Sequence, residues 1–327
     1  LISQEKFADN MFYIREDYNE IYSHSAEIRS VSEDASKPIR TLSIRIVRPS
    51  PKYKNGNILV NIPNVRKPVP LFIVMRALGV VSDKDIIQTC LLDMDKYDYL
   101  VEYFRPCVHD AGQIFTQTQA LKFIAELMKH KTISHVLDVL SSYFIPHIGT
   151  NNFQQKAFYI GYMTFKLLNV AKDIEKPTDR DNFIYKRIET PGVLLNGLFK
   201  EYYKMMLQTI YTKIDKEYYY HVNQYQNEQF LNLIQNNFKM FFNERTVEIG
   251  FKKAFKGNWG AQEHTKKLGV IQDLNRLSFN SALSQRRKTN LPLEASAKVV
   301  GPRLLHGSQI GYIDPVDTPD GGNVGLH

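Results

Sequence analysis

Between residues 13 and 65 the hydrophobic positions recur every second residue. In "TLSIRIVRP", Leu42, Ile44 and Ile46 alternate with polar neighbours, the period of a half-buried strand. "PSPKYKNGNILVNIP" follows, with Asn55–Gly56 marking a hairpin turn and Ile58–Ile62 the returning strand. Beyond residue 65 the period lengthens to that of a helix. "SDKDIIQTCLL" begins on Ser82, an N-cap type. "QTQALKFIAELMKH" and "ISHVLDVLSSYFI" read as short amphipathic helices, the first with Leu121, Ile124 and Leu127 on one stripe. "NNFQQKAFYIGYMTFKLLNV" is longer and more apolar, as a buried core helix is.

The polar stretch "KDIEKPTDRDN", Lys172–Asn182, reads as a boundary loop. After it, Thr190 caps a helix that carries Pro191 at its first position, where the missing N–H does no harm. Leu194, Leu198, Tyr202, Met205 and Leu207 form its core stripe, and its methionines and tyrosines are packing groups. Two further helices are expected within 226–257. From Gly257 the texture changes. "GNWGAQEHTKKLG" is glycine-bounded and basic, "VIQDLNRLSFNSALSQRRK" helix-like but polar, and "KVVGPRLLHGSQIGYIDP" strand-like. Long irregular stretches of this kind carry function more often than framework. The pattern predicts an α+β, multidomain chain.

Composition narrows the function classes. The longest apolar runs, such as Val69–Val81, fall short of a membrane span and include Arg76. Two cysteines, Cys90 and Cys107, without CxxC spacing form neither a zinc site nor a disulfide framework, and read as buried free thiols of a reducing compartment. The nine histidines show no metal-ligand spacing, so no metal site is expected. Leu1 in place of Met, and a Gly-rich motif running to His327, suggest a piece of a longer chain.

Charge is the informative quantity. Residues 251–303 hold eleven Lys or Arg and three acids, so this block carries a net +8, the net charge of the whole chain. A basic block on a neutral remainder is the footprint of a phosphate-binding surface, or a solvated face with no partner. Within it, "SQRRKTN" sets Arg286, Arg287 and Lys288 between Gln285 and Asn290, cations and amides suited to phosphate oxygens. Neighbouring helical residues point about 100° apart. One arginine is therefore expected to meet nucleic acid and the other to pair internally. The only tryptophan, Trp259, stands in Gly257–Asn258–Trp259–Gly260; it either stacks on a base or pins the loop to the protein, and the second reading is favoured. Lys253 and Lys256 beside it can reach phosphates.

"DPVDTPDGGNVGL" places aspartates at 314, 317 and 320. A calcium loop needs oxygens at alternate positions and a closing Glu; here position 12 is Gly325, and Pro315 and Pro319 forbid a gathering helix. A tight turn is the simplest reading, with Gly321 and Gly322 letting the backbone pass close to something large.

At this point the residues resemble a known family. "GNWG", "GVIQDLNRLSFNSALSQRRKTN" and "GPRLLHGSQIGYIDPVDTPDGGNVGL" resemble the second-largest subunit of multisubunit DNA-directed RNA polymerases, of the eukaryotic nuclear and large-DNA-virus type and homologous to the bacterial beta subunit. "QEKFADN", "SHSAEIRS", "PLFIVMRALG", "RPCVHDA", "FIPHIG", "KAFYIGYM" and "DRDNFIYKR" resemble further segments of it in order, so the likeness covers the chain.

The resemblance implies residues 1–12 as the end of a first protrusion segment, 13–190 as a mixed strand and helix lobe, 191–250 as a helical second protrusion segment and 251–327 as an irregular fork. It implies a share in transcribing DNA into RNA beside the RNA–DNA hybrid and the downstream bubble edge, with no catalytic residue in this fragment. Mg2+ would be held by the largest subunit and Zn2+ by a missing C-terminal part, neither by this chain. The partners implied are the largest and other polymerase subunits, template DNA and nascent RNA, with no membrane, in the nucleus or in the viral factory or virion. Arg276, Arg286, Arg287, Lys288 and Arg303, with Gln285 and Lys256, are the implied nucleic-acid contacts; Lys186 and Arg187 are further ones near the lobe–protrusion seam. Asp317, Asp320, Gly321 and Asn323 belong to the motif that approaches the nucleotide path, the aspartates orienting cations and turn amides. Three departures stand out: aspartates replace the family's two glutamates in ETPEG, Gly322 replaces a polar residue or proline, and Ser308–Gln309–Ile310 replaces a Thr-His pair. Alternatives are a stand-alone single-strand nucleic-acid-binding protein using Trp259, and a structural subunit whose basic face meets an acidic protein.

Overall fold

The computed structural model describes residues 1–17, 19–33, 39–49, 56–221, 230–242, 245–294 and 296–327. They form two compact units, Asp9–Arg180 and Leu1–Ala8 with Asp181–His327. The first strand, β1 (Ser3–Phe7), belongs to the second of these.

The Asp9–Arg180 unit is built on an antiparallel sheet in the order β2-β3-β4-β5-β6, from β2 (Phe12–Glu16), β3 (Tyr22–Ser30), β4 (Arg40–Val47), β5 (Ile58–Asn61) and β6 (Val69–Pro70). Ile28 pairs with Leu42, Ala26 with Ile44, and Ile44 with Val60, so the period-2 apolar positions share one buried face. Seven helices follow: α1 (Leu71–Ala77), α2 (Asp83–Leu91), α3 (Asp98–Val101), α4 (Arg105–Ala111), α5 (Gln117–Glu126), α6 (Ile133–Ser142) and α7 (Phe153–Ala171). Ile160, Met163, Leu167 and Leu168 of α7 and the whole of α1 join the sheet's core. Each fully buried aliphatic or aromatic side chain there contributes about 1.5–3 kcal/mol. Buried Arg76 is satisfied by Asp83 and by the carbonyls of Val81 and Ile114. Cys90 and Cys107 are free and buried; burial pushes both thiols up, Cys107 to about 12. No helix among the described residues is long and apolar enough to cross a membrane.

The second unit holds a three-stranded sheet in the order β7-β1-β8, with β7 (Lys186–Glu189) antiparallel and β8 (Thr289–Asn290) parallel to β1. Its helices are α8 (Pro191–Tyr220), α9 (Phe230–Asn236), α10 (Phe238–Phe242), α11 (Thr246–Phe255) and α12 (Phe279–Arg287). Leu194, Leu198 and Tyr202 of α8 pack with Ala254, Trp259 and Val270. A Cβ on Gly250 of α11 would stand 2.5 Å from the Tyr202 ring, so this helix crossing needs the glycine. On another face of α8, Phe199 and Tyr203 stack at 5.6 Å and are exposed.

Several expectations are corrected. Leu207 stands off the α8 core stripe, because two residues beyond Met205 is about 200° around the helix. Among the described residues of 226–257 there are three short helices, not two; residues 226–229 and 243–244 of that forecast, and Asn55 of the forecast hairpin turn, lie outside the described residues. Only Phe279–Arg287 of the helix-like stretch is helical, because Ser278 caps it there. "KVVGPRLLHGSQIGYIDP" contains no strand. Short 3-10 turns at Gly301–Arg303 and Gly307–Gln309 and a left-handed Gly311 break the extended backbone, leaving Val300, Leu304 and Ile310 exposed.

Candidate nucleic-acid interface

Helix α12 carries the centre of the basic block and has no buried residue. Amphipathic burial therefore does not place it; polar bonds and its two flanks do. Upstream, Gln285 reaches back across the loop, accepting from Asn275 N at 2.7 Å and donating to Asp273 O at 2.9 Å. Downstream the chain enters β8, where Asn290 is buried and donates to Gln4 Oε1 at 3.0 Å and Leu268 O at 3.3 Å. Both amides that sequence reasoning offered to phosphate are thus engaged internally, since each amide holds two backbone segments in register.

The cations divide in the same way. Arg286 and Arg287 are both exposed and neither has an ion pair among the described residues, so the expected division into one outward and one internally paired arginine does not hold; Arg286 Nε donates to Ala282 O at 3.0 Å. Arg276 and Lys256 are exposed, and their side chains make no hydrogen bond or ion pair among the described residues. Lys288 is half-buried, 3.9 Å from Asp317 Oδ1. Arg303, expected on phosphate, donates to Gly322 O at 2.8 Å and Val324 O at 3.2 Å, so its guanidinium holds the terminal loop. Lys186 is a clear correction. It is buried, 2.7 Å from Glu5 Oε1 and 4.3 Å from the Phe7 ring centroid, and its charge closes the β1–β7 pair instead of facing solvent. Arg187 beside it is exposed and folds back onto the carbonyls of Ile184 and Lys186. Along the block, Lys252 pairs with Glu248, Lys266 with Glu263 and Lys267 with Glu189.

The three aspartates have three fates. Asp314 accepts from Val316 N at 3.0 Å and closes its own turn. Asp317 accepts from Ser284 Oγ at 2.7 Å. Asp320, at the head of the 3-10 turn Gly321–Asn323, is exposed, and its carboxylate makes no hydrogen bond or ion pair among the described residues. Gly321 is left-handed and Asn323 O accepts from Leu326 N. A groove of about 620 Å³ lies here, lined by Arg287, Lys288, Arg303, Asp314 and Asp317 among others. Two of the three carboxylates are engaged in hydrogen bonds, and among the described residues no three His, Cys, Asp or Glu side chains gather as metal ligands do.

Trp259 is buried, and its backbone bridges to Lys267. The loop after it is held from α8 by Glu201 Oε1, which accepts from Ala261 N and Gln262 N, each at 3.1 Å, and from Thr265 Oγ1. Gly257 and Gly260 on either side are left-handed, and Asn258 is exposed. Sequence reasoning missed Glu201, Gln4 and Ser284. Ser284 had a signal, lying one helical turn before Lys288; the other two act over more than fifty residues of chain and left none.

Two family models match the chain: "RNA polymerase Rpb2, domain 2" over residues 40–189 and "RNA polymerase Rpb2, domain 3" over residues 272–327. Along its full length the chain is 34% identical to DNA-directed RNA polymerase II subunit RPB2 of Encephalitozoon cuniculi and 32% identical to DNA-directed RNA polymerase II subunit 2 of Arabidopsis thaliana, spanning 28% of each. It is 27% identical, over 84% of its residues, to DNA-directed RNA polymerase subunit Rpo2 of Saccharolobus solfataricus, of which it covers 23%. The chain thus spans about a quarter of the length of these relatives. Two domain matches in order, with relatives aligned from end to end, lead to one conclusion: the chain belongs to the Rpb2 family of RNA polymerase second-largest subunits and carries its domains 2 and 3.

Proposed function

We propose that the chain works as part of a DNA-dependent RNA polymerase, where it scaffolds the active centre and contacts the RNA–DNA hybrid and the downstream edge of the bubble. In this reading residues 13–190 are the lobe, 191–250 with 1–12 are protrusion, and 251–327 are the fork. Arg286, Arg287, Arg276 and Lys256 meet phosphate, each displacing condensed counterions. Gln285, Asn290 and Arg303 hold the surface that presents them. Asp317 braces the terminal loop on α12, and Asp320, Gly321 and Asn323 face the nucleotide path. The catalytic Mg2+ belongs to the largest subunit and Zn2+ to another part of the second-largest one. Template DNA, nascent RNA and the other polymerase subunits are the partners, and the compartment is the nucleus or a viral factory.

The observation that carries the reading is the division of charge in the stretch matched by Rpb2 domain 3. Arg276, Arg286 and Arg287 remain exposed there, while Asp317, which lines the same groove as Arg287, is hydrogen-bonded to Ser284 of the helix. The stand-alone single-strand binder relied on Trp259 as a stacking platform. Its burial leaves no ring face for a base. Affinity purification of the full-length protein tests the proposal: the largest polymerase subunit copurifies in equal amount, and its absence would contradict the assignment.

A further inference from the structure

The backbone from residue 271 to 288 leaves the protein and returns with almost nothing buried. Both ends of this excursion meet on one strand. On the outgoing side, Ile2 N donates to Val270 O at 2.8 Å and Gln4 Nε2 donates to Gly269 O at 3.3 Å. On the returning side, β1 and β8 pair through Ser3 with Thr289 and Gln4 with Asn290. Asn290 Nδ2 ties the two sides together, donating to Gln4 Oε1 and to Leu268 O. Gln4 and Asn290 are almost wholly buried. Gly269 is left-handed, and a Cβ there would stand 2.6 Å from Asn290 Nδ2, so the backbone is shaped around this amide.

We infer that Gln4 and Asn290 are positioning residues for the nucleic-acid contact, a buried amide latch that sets where α12 presents Arg286 and Arg287. Residues 286 positions apart in sequence meet in one hydrogen bond. The excursion has no apolar core to fix it, so its geometry follows the latch and the bonds of Gln285 and Ser284. Buried amides suit this role because they are directional: a misaligned pair leaves donors unsatisfied, which penalises other registers. The inference rests on the phosphate-contact reading above.

The test uses polymerase assembled with the full-length subunit. Asn290→Asp keeps the side chain's shape but replaces a two-proton donor by an acceptor facing Gln4 Oε1 and Leu268 O. Amide hydrogen exchange in α12 accelerates about tenfold or more. The slope of elongation-complex stability against log salt falls by about one to two, since each lost phosphate contact removes roughly 0.7–0.9. Combination with Arg287→Ala produces no further fall. The exchanged pair Gln4→Asn with Asn290→Gln keeps the bridge length and recovers most of the slope lost by either single change. Unchanged exchange in Asn290→Asp, or an exchanged pair no better than its singles, overturns the latch. If Arg286→Ala and Arg287→Ala themselves leave the slope unmoved, the phosphate reading fails, and α12 exchange alone then upholds or overturns the latch.

Discussion

Asp317 accepts a 2.7 Å hydrogen bond from Ser284, across 33 residues of chain. Its other oxygen lies 3.9 Å from Lys288, the residue that follows the last turn of the same helix. The carboxylate joins the terminal loop to the basic helix. A pair this exposed is worth little to global stability. Its effect is local: a double-mutant cycle of Ser284→Ala and Asp317→Ala, read by amide exchange in α12, gives a coupling of about 0.5–1 kcal/mol. Additive effects would show that the two side chains do not act together.

Glu201 fixes the Trp259 loop through two backbone N–H groups and one hydroxyl on a single oxygen. Hydrogen bonds to a charged acceptor contribute about 1.5–3 kcal/mol. Glu201→Ala therefore lowers the free energy for exposure of Trp259 by about 2 kcal/mol, and the denaturant midpoint falls with it. As the only tryptophan, Trp259 reports this directly through a red shift of its emission. An unchanged midpoint would mean that apolar packing alone holds the loop.

Lys156, wholly buried on α7, donates to the carbonyls of Leu140 at 2.7 Å and Ser141 at 2.8 Å, at the end of α6. Burial lowers its pKa from 10.5 to about 8. Below pH 8 the lysine is protonated folded and unfolded, so its contribution is constant. Between pH 8 and 10.5 the unfolded state binds more protons, and this group's contribution to stability rises with pH. The thiols and tyrosines of the same unit act oppositely, so the comparison is with Lys156→Met. The stability difference, wild type minus variant, grows towards wild type across that window, by at most about 1.4 kcal/mol per pH unit. A pH-independent difference in urea unfolding would contradict a desolvated ammonium.

Where local pattern and packing agree, the fold was legible. Leu42, Ile44 and Ile46 alternate and lie in the core, and Ser82, Thr190 and Pro191 mark helix starts at the observed positions. The capping box of Thr116 and Gln119 was written in the Thr-x-x-Gln spacing but not read. Helix α1 is buried all round and apolar except for Arg76, so periodicity could not separate it from a strand. The site was legible as charge but not as geometry. Sequence shows that Lys186, Arg303, Gln285 and Asn290 can meet phosphate; it does not show that Glu5, the carbonyls of Gly322 and Val324, the 273–275 loop and Gln4 claim them first. Those partners come from distant chain, and spacing carries no trace of them.

The central claim is that Arg286 and Arg287 contact nucleic-acid phosphate. The most direct measurement is the salt dependence of elongation-complex lifetime for polymerase carrying Arg286→Ala with Arg287→Ala. Loss of two phosphate contacts lowers the slope against log salt by about 1.4–1.8. A shorter lifetime with the slope unchanged, or no change in either, would contradict it.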